Sequence, residues 1–279
     1  METMEFQRFM TNTDFPIMSI RWKPHSEFKP KHILVAISSE GKITHWHTAT
    51  GKVLHSMDEK DNPLMCMDFH SDGSIFATAG NDRIVRIYDD NMKTIVSTMK
   101  PGVKHPGHAN RVFALCFHKT MNILASGGWD NTIQFYDVRT NSVTASIYGP
   151  HICGDSIDFK ENQLLTGSWG TENQIQIWDV RNYKLLRTVD WDKEDKSDKS
   201  IYVYASQFSK DKNSNLFGVG CSNSNIVRIF DGENDDVPIM SSGYLEKACY
   251  TVDYSYNGKY FAFGSGDGNV RIVNIEKKK

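Results

Sequence analysis

Residues 112–137 read VFALCF, HKTMN, ILASGG, WDN, TIQFYD. Three runs of about six residues, rich in aliphatic and aromatic side chains, are separated by short polar turns carrying Asn, Gly and Asp. Runs this short, bounded by turn residues, predict β-strands rather than helices. The same order recurs from Met65 as MCMDF, HSDG, SIFATAG, NDR, IVRIYD, and from Ser156 as SIDF, KEN, QLLTGSW, GTEN, QIQIWD. Weaker copies run over 18–47, 204–231 and 250–274.

Counting fixes the register. Aromatic residues close the first strand of each copy at Trp22, Phe69, Phe117, Phe159, Phe208 and Tyr254. Near the end of the third strand stand Trp46, Tyr88, Tyr136, Trp178, Phe230 and Val273. The separations are 24, 19, 19, 19, 22 and 19, and successive third-strand positions lie 42, 48, 42, 52 and 43 residues apart. A period of this length in an all-β pattern matches the roughly 40–45 residues of a four-stranded propeller blade. Outer fourth strands are predicted at 52–56, 94–99, 142–147, 184–189 and 237–241.

With that spacing, the chain resembles the WD-repeat family over essentially its whole length. Trp178-Asp179 is the dipeptide that names the family, and Gly107-His108 stands where its Gly-His precedes a blade. The resemblance implies a buried hydrogen-bond relay. In the third copy it maps onto His108, Ser126, Asp130 and Tyr136, with Tyr in place of the usual Trp. The second copy keeps Thr78, Asp82 and Tyr88 without a matching His. The fourth keeps Thr166 and Trp178, with Glu172 in the Asp column after a longer turn, and Asp267 survives in the sixth. The fold class expected is therefore all-β: a single propeller domain over residues 1–279, with repeats at 15–57, 63–99, 108–147, 153–189, 202–241 and 249–275. The sixth copy lacks a fourth strand. Residues 5–10 (EFQRFM) are the expected strand that completes it and covers an otherwise bare edge. Six copies are one fewer than the common seven, so the ring is either closed or open to a blade from a partner.

Bulk properties narrow the function. With 32 basic and 34 acidic residues the net charge is −2, which argues against a nucleic-acid or anionic-membrane partner. No 18-residue apolar run suggests a membrane span. No amino-terminal signal stands out, there is no Asn-x-Ser/Thr, and the five cysteines lie at least 28 residues apart. An intracellular, reducing, cytoplasmic setting is expected, with nucleus or cilium as alternatives.

Chemistry is not legible. His45 and His47 lie on one side of a strand without a third metal ligand at a telling spacing. The run at 264–268 (GSGDG) sits between strands rather than opening a helix, so it lacks the amide cradle of a phosphate loop. The turn positions Ser39, Asn81, Trp129, Trp169, Asn223 and Gly266 make poor acids and bases. No catalytic residue, cofactor or metal is expected. Trp22, Trp46 and Trp178 fit positions that pack between blades. Trp191 lies in a charged insertion, 190–200, which reads as solvated. Trp129 and Trp169, each three residues after the small second-strand residue (Ser126, Thr166), project from equivalent turns of one face. With Arg111 and Asn81 they form a candidate partner-binding patch, because exposed Trp is enriched where partners anchor. The expected function is a non-enzymatic scaffold that joins other proteins in a complex. Alternatives are a ciliary or axonemal subunit, a peptide receptor of a ubiquitin ligase or a chromatin complex.

Overall fold

Each copy folds as the antiparallel sheet its alternation demands. A computed structural model describes residues 13–24, 32–102, 106–191 and 201–275. The first sheet holds β1 (Ile17–Trp22), β2 (Ile33–Ser38), β3 (Lys42–His47) and β4 (Lys52–Asp58). The second holds β5 (Leu64–Phe69), β6 (Ile75–Gly80), β7 (Val85–Asp89) and β8 (Thr94–Met99). In the third are β9 (Val112–Phe117), β10 (Ile123–Gly128), β11 (Thr132–Asp137) and β12 (Ser142–Tyr148). The fourth comprises β13 (Ile157–Lys160), β14 (Gln163–Gly167), β15 (Ile175–Asp179) and β16 (Lys184–Val189). Strands β17 (Tyr202–Phe208), β18 (Leu216–Ser222), β19 (Val227–Asp231) and β20 (Val237–Ser241) make the fifth. The sixth has three strands among the described residues: β21 (Cys249–Tyr254), β22 (Tyr260–Ser265) and β23 (Val270–Asn274).

All five predicted outer strands begin at the residues expected. Residues 5–10 lie outside the described residues. The innermost strand of each sheet packs on the innermost strand of the next, from β1 through to β21, giving a six-bladed β-propeller. In blades one to five a register shift between third and fourth strands falls immediately before the third-strand aromatic. Such a bulge locally increases strand twist and re-aims the side chain beside it.

The hydrophobic core lies between the blades. Ile33, Val35, Ile37 and Ile43 of blade one meet Met67, Phe69 and Phe76 of blade two. Equivalent layers join blades two to three, three to four, four to five and five to six. Trp46 and Trp178 are buried, as their pattern positions require. Trp22 is exposed: its position faces the preceding blade, and no such interblade layer covers it among the described residues. Trp191 also departs from expectation. It packs 5.7 Å from Phe230 within the core joining blades four and five, beneath the Arg228 guanidinium at 4.6 Å. Its charged neighbours in sequence concealed an ordinary core residue.

Polar contacts also tie blades together. Arg21 on β1 bonds both oxygens of Asp155 at 2.8 and 2.7 Å and lies 3.5 Å from Asp68. Asp155 belongs to blade four, which is not adjacent to blade one, so the guanidinium spans the central channel. Burial opposes its charge, but the two carboxylates outweigh that and hold its pKa above the usual arginine value. Burial conversely pushes the Asp68 carboxyl up to about 6, against the pull of Arg21.

At the blade one–two boundary, the carboxylate of Asp90 takes hydrogen bonds from His45 (2.7 Å), Lys93 (2.7 Å) and Lys23. Burial disfavours this carboxylate, yet the three donors outweigh it and hold its pKa well below the usual range. Asp90→Asn leaves two ammonium groups without their counter-ion. Loss of one partner from a buried ion pair costs about 3–5 kcal/mol, and urea unfolding measures it. The depressed pKa means that the Asp90 contribution is present above pH ~4, the unfolded value, and is lost as pH falls further. Below pH ~4 the variant therefore loses less stability than wild type.

Candidate functional site

The ends of second and fourth strands and the starts of first and third strands share one rim of the disc, here the upper face. Trp129 and Trp169 both stand on it, each 37% exposed. They are joined by a third ring that the sequence reading passed over. His151, on the connection leading to β13, stacks 6.0 Å from Trp129 and lies 6.4 Å from Trp169. Phe113 backs Trp129 at 5.1 Å, and Tyr202 stacks on Trp169 at 4.6 Å. The result is a continuous arc of rings over blades three, four and five. Ring pairs of this geometry contribute about 0.5–1.5 kcal/mol beyond the area they bury, so the arc is held in shape before any ligand arrives.

Polar groups frame it. The Arg111 guanidinium carbon lies 5.6 Å from the Trp129 ring centroid, a cation–π distance. Asn131 Oδ1 lies 2.6 Å from His151 Nδ1. Burial lowers the His151 pKa below the usual imidazole value, so the ring is neutral at pH 7. A shallow pocket beside Trp169 is lined by His151, Ser168, Thr171, Glu172 and Asn173. The candidate patch thus contains Trp129, Trp169 and Arg111 in one arc. Asn81 stands apart on blade two, its backbone N–H bonded to Pro63 O at 3.0 Å, and no ring contact or hydrogen bond links it to the arc among the described residues. His151 had a legible signal: it follows Gly149-Pro150, close to where a blade-opening Gly-His would stand.

Beneath this face, blade three carries the full relay. Asp130 Oδ2 meets His108 Nδ1 at 2.9 Å, His108 Nε2 meets Ser126 Oγ at 2.6 Å, and Ser126 Oγ lies 3.5 Å from Tyr136 Oη. Both imidazole nitrogens are occupied and the side chain is fully buried, so the His–Asp pair is scaffold. Burial pushes the Tyr136 phenol up to about 12.

In blade two a carboxylate replaces the imidazole. Glu59 accepts from Thr78, from Tyr88 Oη at 2.8 Å and from Asn62 Nδ2 at 2.8 Å, and pairs with Arg86 at 2.8 Å. Asp82 takes the other side of Arg86 at 2.5 Å. Glu59 lies 19 residues before Thr78, and His108 lies 18 before Ser126; that offset was the missed signal. In blade four Trp178 Nε1 donates to Thr166 Oγ1 at 3.0 Å. Glu172, expected in the Asp column, is exposed and lines the pocket instead, because the longer turn carries it out. Blade six pairs Asp267 with Arg271 at 2.6 Å.

The histidines of the His-Trp-His run serve separate neighbours: His45 bonds Asp90, and His47 Nδ1 meets Thr50 Oγ1 at 2.8 Å. Glu59→Gln removes the charge opposing Arg86 while keeping the shape. A buried hydrogen bond to a charged group is worth about 1.5–3 kcal/mol, so denaturant unfolding is expected to show at least that loss, with the blade-three relay intact.

The family model "WD domain, G-beta repeat" matches residues 51–89, 99–137 and 239–274. The chain is similar to eukaryotic translation initiation factor 3 subunit I of Bombyx mori, 26% identical over 88 residues, covering 32% of this chain and 25% of that protein. It is also similar to cell division cycle 20.1, cofactor of APC complex, of Arabidopsis thaliana, 28% identical over 163 residues, covering 57% and 34%. These matches span about a quarter and a third of the relatives' lengths. Three of the six copies are matched by the WD repeat model, and all six, in one register, form the blades of a β-propeller.

Proposed function

We propose that this propeller is a non-enzymatic platform whose upper-face aromatic arc anchors an extended segment of a partner protein. The single observation that carries the reading is the ring series Trp129–His151–Trp169–Tyr202, half-exposed and braced from beneath. Such rings are pre-ordered by stacking on one another, on turns and connections anchored at strand ends, so a ligand meets them without the entropic cost of arranging them. Ring steps of 6.0 and 6.4 Å match an extended stretch of roughly four residues at about 3.3 Å each. Apolar or proline side chains suit the ring faces. A carboxylate suits Arg111, and a basic group suits Glu172.

Further support comes from the hydrogen bonding of the histidines. His108 and Asp130 are spent on each other inside the blade, and on the upper face His151 Nδ1 is engaged by Asn131 Oδ1 at 2.6 Å. The two relatives are named as a subunit of an initiation factor and a cofactor of a complex, which fits a role within an assembly. No disulfide joins the cysteines among the described residues, and four of the five are buried, which suits a reducing compartment.

Truncating an aromatic anchor typically costs 2 kcal/mol or more. The Trp129→Ala, Trp169→Ala variant is therefore expected to lose a stoichiometric partner at least tenfold in affinity purification from the native cell, with its circular dichroism unchanged. Retention of the same partners by a folded variant would assign the rings to the scaffold alone.

A further inference from the structure

The junction between blades six and one differs from the other five, and residue equivalence measures the difference. On the side facing the following blade, the third-strand pairs Val85/Ile87, Ile133/Phe135, Ile175/Ile177 and Val227/Ile229 are at most 2% exposed. Their counterparts in blade six, Val270 and Ile272, are 74% and 43% exposed. On the side facing the preceding blade, the first-strand aromatics Phe69, Phe117, Phe159, Phe208 and Tyr254 are at most 6% exposed, whereas Trp22 is 60%. Two residues before it, Ile20 is 54% exposed, against at most 2% for Met67, Leu115, Ile157 and Val252.

A polar signature repeats the contrast. In blades two and four the residue preceding the first-strand aromatic is an Asp that reaches toward the next blade: Asp68 Oδ2 accepts the Phe117 N–H at 2.7 Å, and Asp158 Oδ2 accepts the Phe208 N–H at 2.9 Å. Asp253 holds this position in blade six. Among the described residues its hydrogen bond is with its own Tyr254 N–H at 2.8 Å. No amide of a following blade meets it among the described residues.

We propose that this junction is a slot for a four-stranded β-sheet blade supplied by another polypeptide. The occupant follows from the interface the molecule already uses five times. Its first strand must bring an aromatic onto Val270 and Ile272 and a backbone N–H to Asp253. Its third strand must bring an aliphatic pair onto Ile20 and Trp22. A propeller blade carries both faces at once; a single strand or a helix carries one. Apolar walls left in water are uncommon on a monomer and mark interaction surfaces. Arg21, tied to Asp155 and Asp68, fixes the blade-one wall.

The test places a photo-crosslinking phenylalanine analogue at Trp22 in one full-length variant and at Val270 in another, each expressed in the native cell. The slot predicts that both walls capture the same foreign polypeptide, at sites within one stretch of about 40–45 residues, the length of a blade. The folded Ile20→Asp, Ile272→Asp variant loses that polypeptide at least tenfold, while Trp129→Ala, Trp169→Ala retains it, which separates the slot from the upper-face arc. Crosslinks between the two walls, to other segments of this chain, to a second copy or to two unrelated proteins would overturn the proposal. So would an absence of crosslinks at both positions.

Discussion

A propeller blade is a sheet with two apolar faces, and it has no stable place except between two others. Everything else in this molecule follows from that constraint. Stability in repeat folds is carried by nearest-neighbour interfaces, and here those interfaces are the five layers between successive blades. Blades two to five are flanked on both sides. Blades one and six have one such layer each among the described residues. Blade one is held additionally through the channel by Arg21, whose two carboxylate partners belong to blades four and two.

The polar interior shows what the fold demands and what it leaves free. A hydroxyl at Thr78, Ser126 or Thr166 and an aromatic donor at Tyr88, Tyr136 or Trp178 are buried together, and burial of either without a partner is costly. Blade three answers with an imidazole held by Asp130, blade two with Glu59 held by Arg86, and blade four with a direct Trp–Thr bond. The requirement is satisfaction of buried groups; the residue that satisfies them varies with the charge of its neighbours. Blade two, having exchanged a histidine for a carboxylate, needs a guanidinium where blade three has Gln134.

Most of the fold was legible because the repeat spacing and the strand alternation agree. The 19-residue interval from first-strand aromatic to third-strand aromatic located the strands, and the outer strands began where expected. The readings that missed did so for physical reasons. Trp22 fits the buried pattern, but burial depends on a preceding blade, which no local spacing reports. Trp191 sits among charges in sequence and among Phe230 and Arg228 in space. The upper-face rings were half visible: Trp129 and Trp169 follow from repeat equivalence, whereas His151 comes from a connection whose course only tertiary structure fixes, and Tyr202 opens β17, whose neighbours in the next blade no local spacing reports. Asn81, equivalent by position, lies on blade two and outside the arc, since equivalence around a ring does not mean adjacency.

The two proposed surfaces differ in kind, one aromatic and pre-ordered, the other a repetition of the molecule's own packing. Both rest on the claim that interblade layers, not the individual sheets, hold the structure. Hydrogen exchange of the purified chain, read strand by strand, measures this directly, because local opening reports how strongly each element is held. Strands β9–β11 and β13–β15, flanked on both sides, are expected to exchange slowest, and β1 and β21–β23 at least tenfold faster. Equal protection of β1, β23 and β9–β11 would contradict the account, since it would require a sixth layer joining blades six and one.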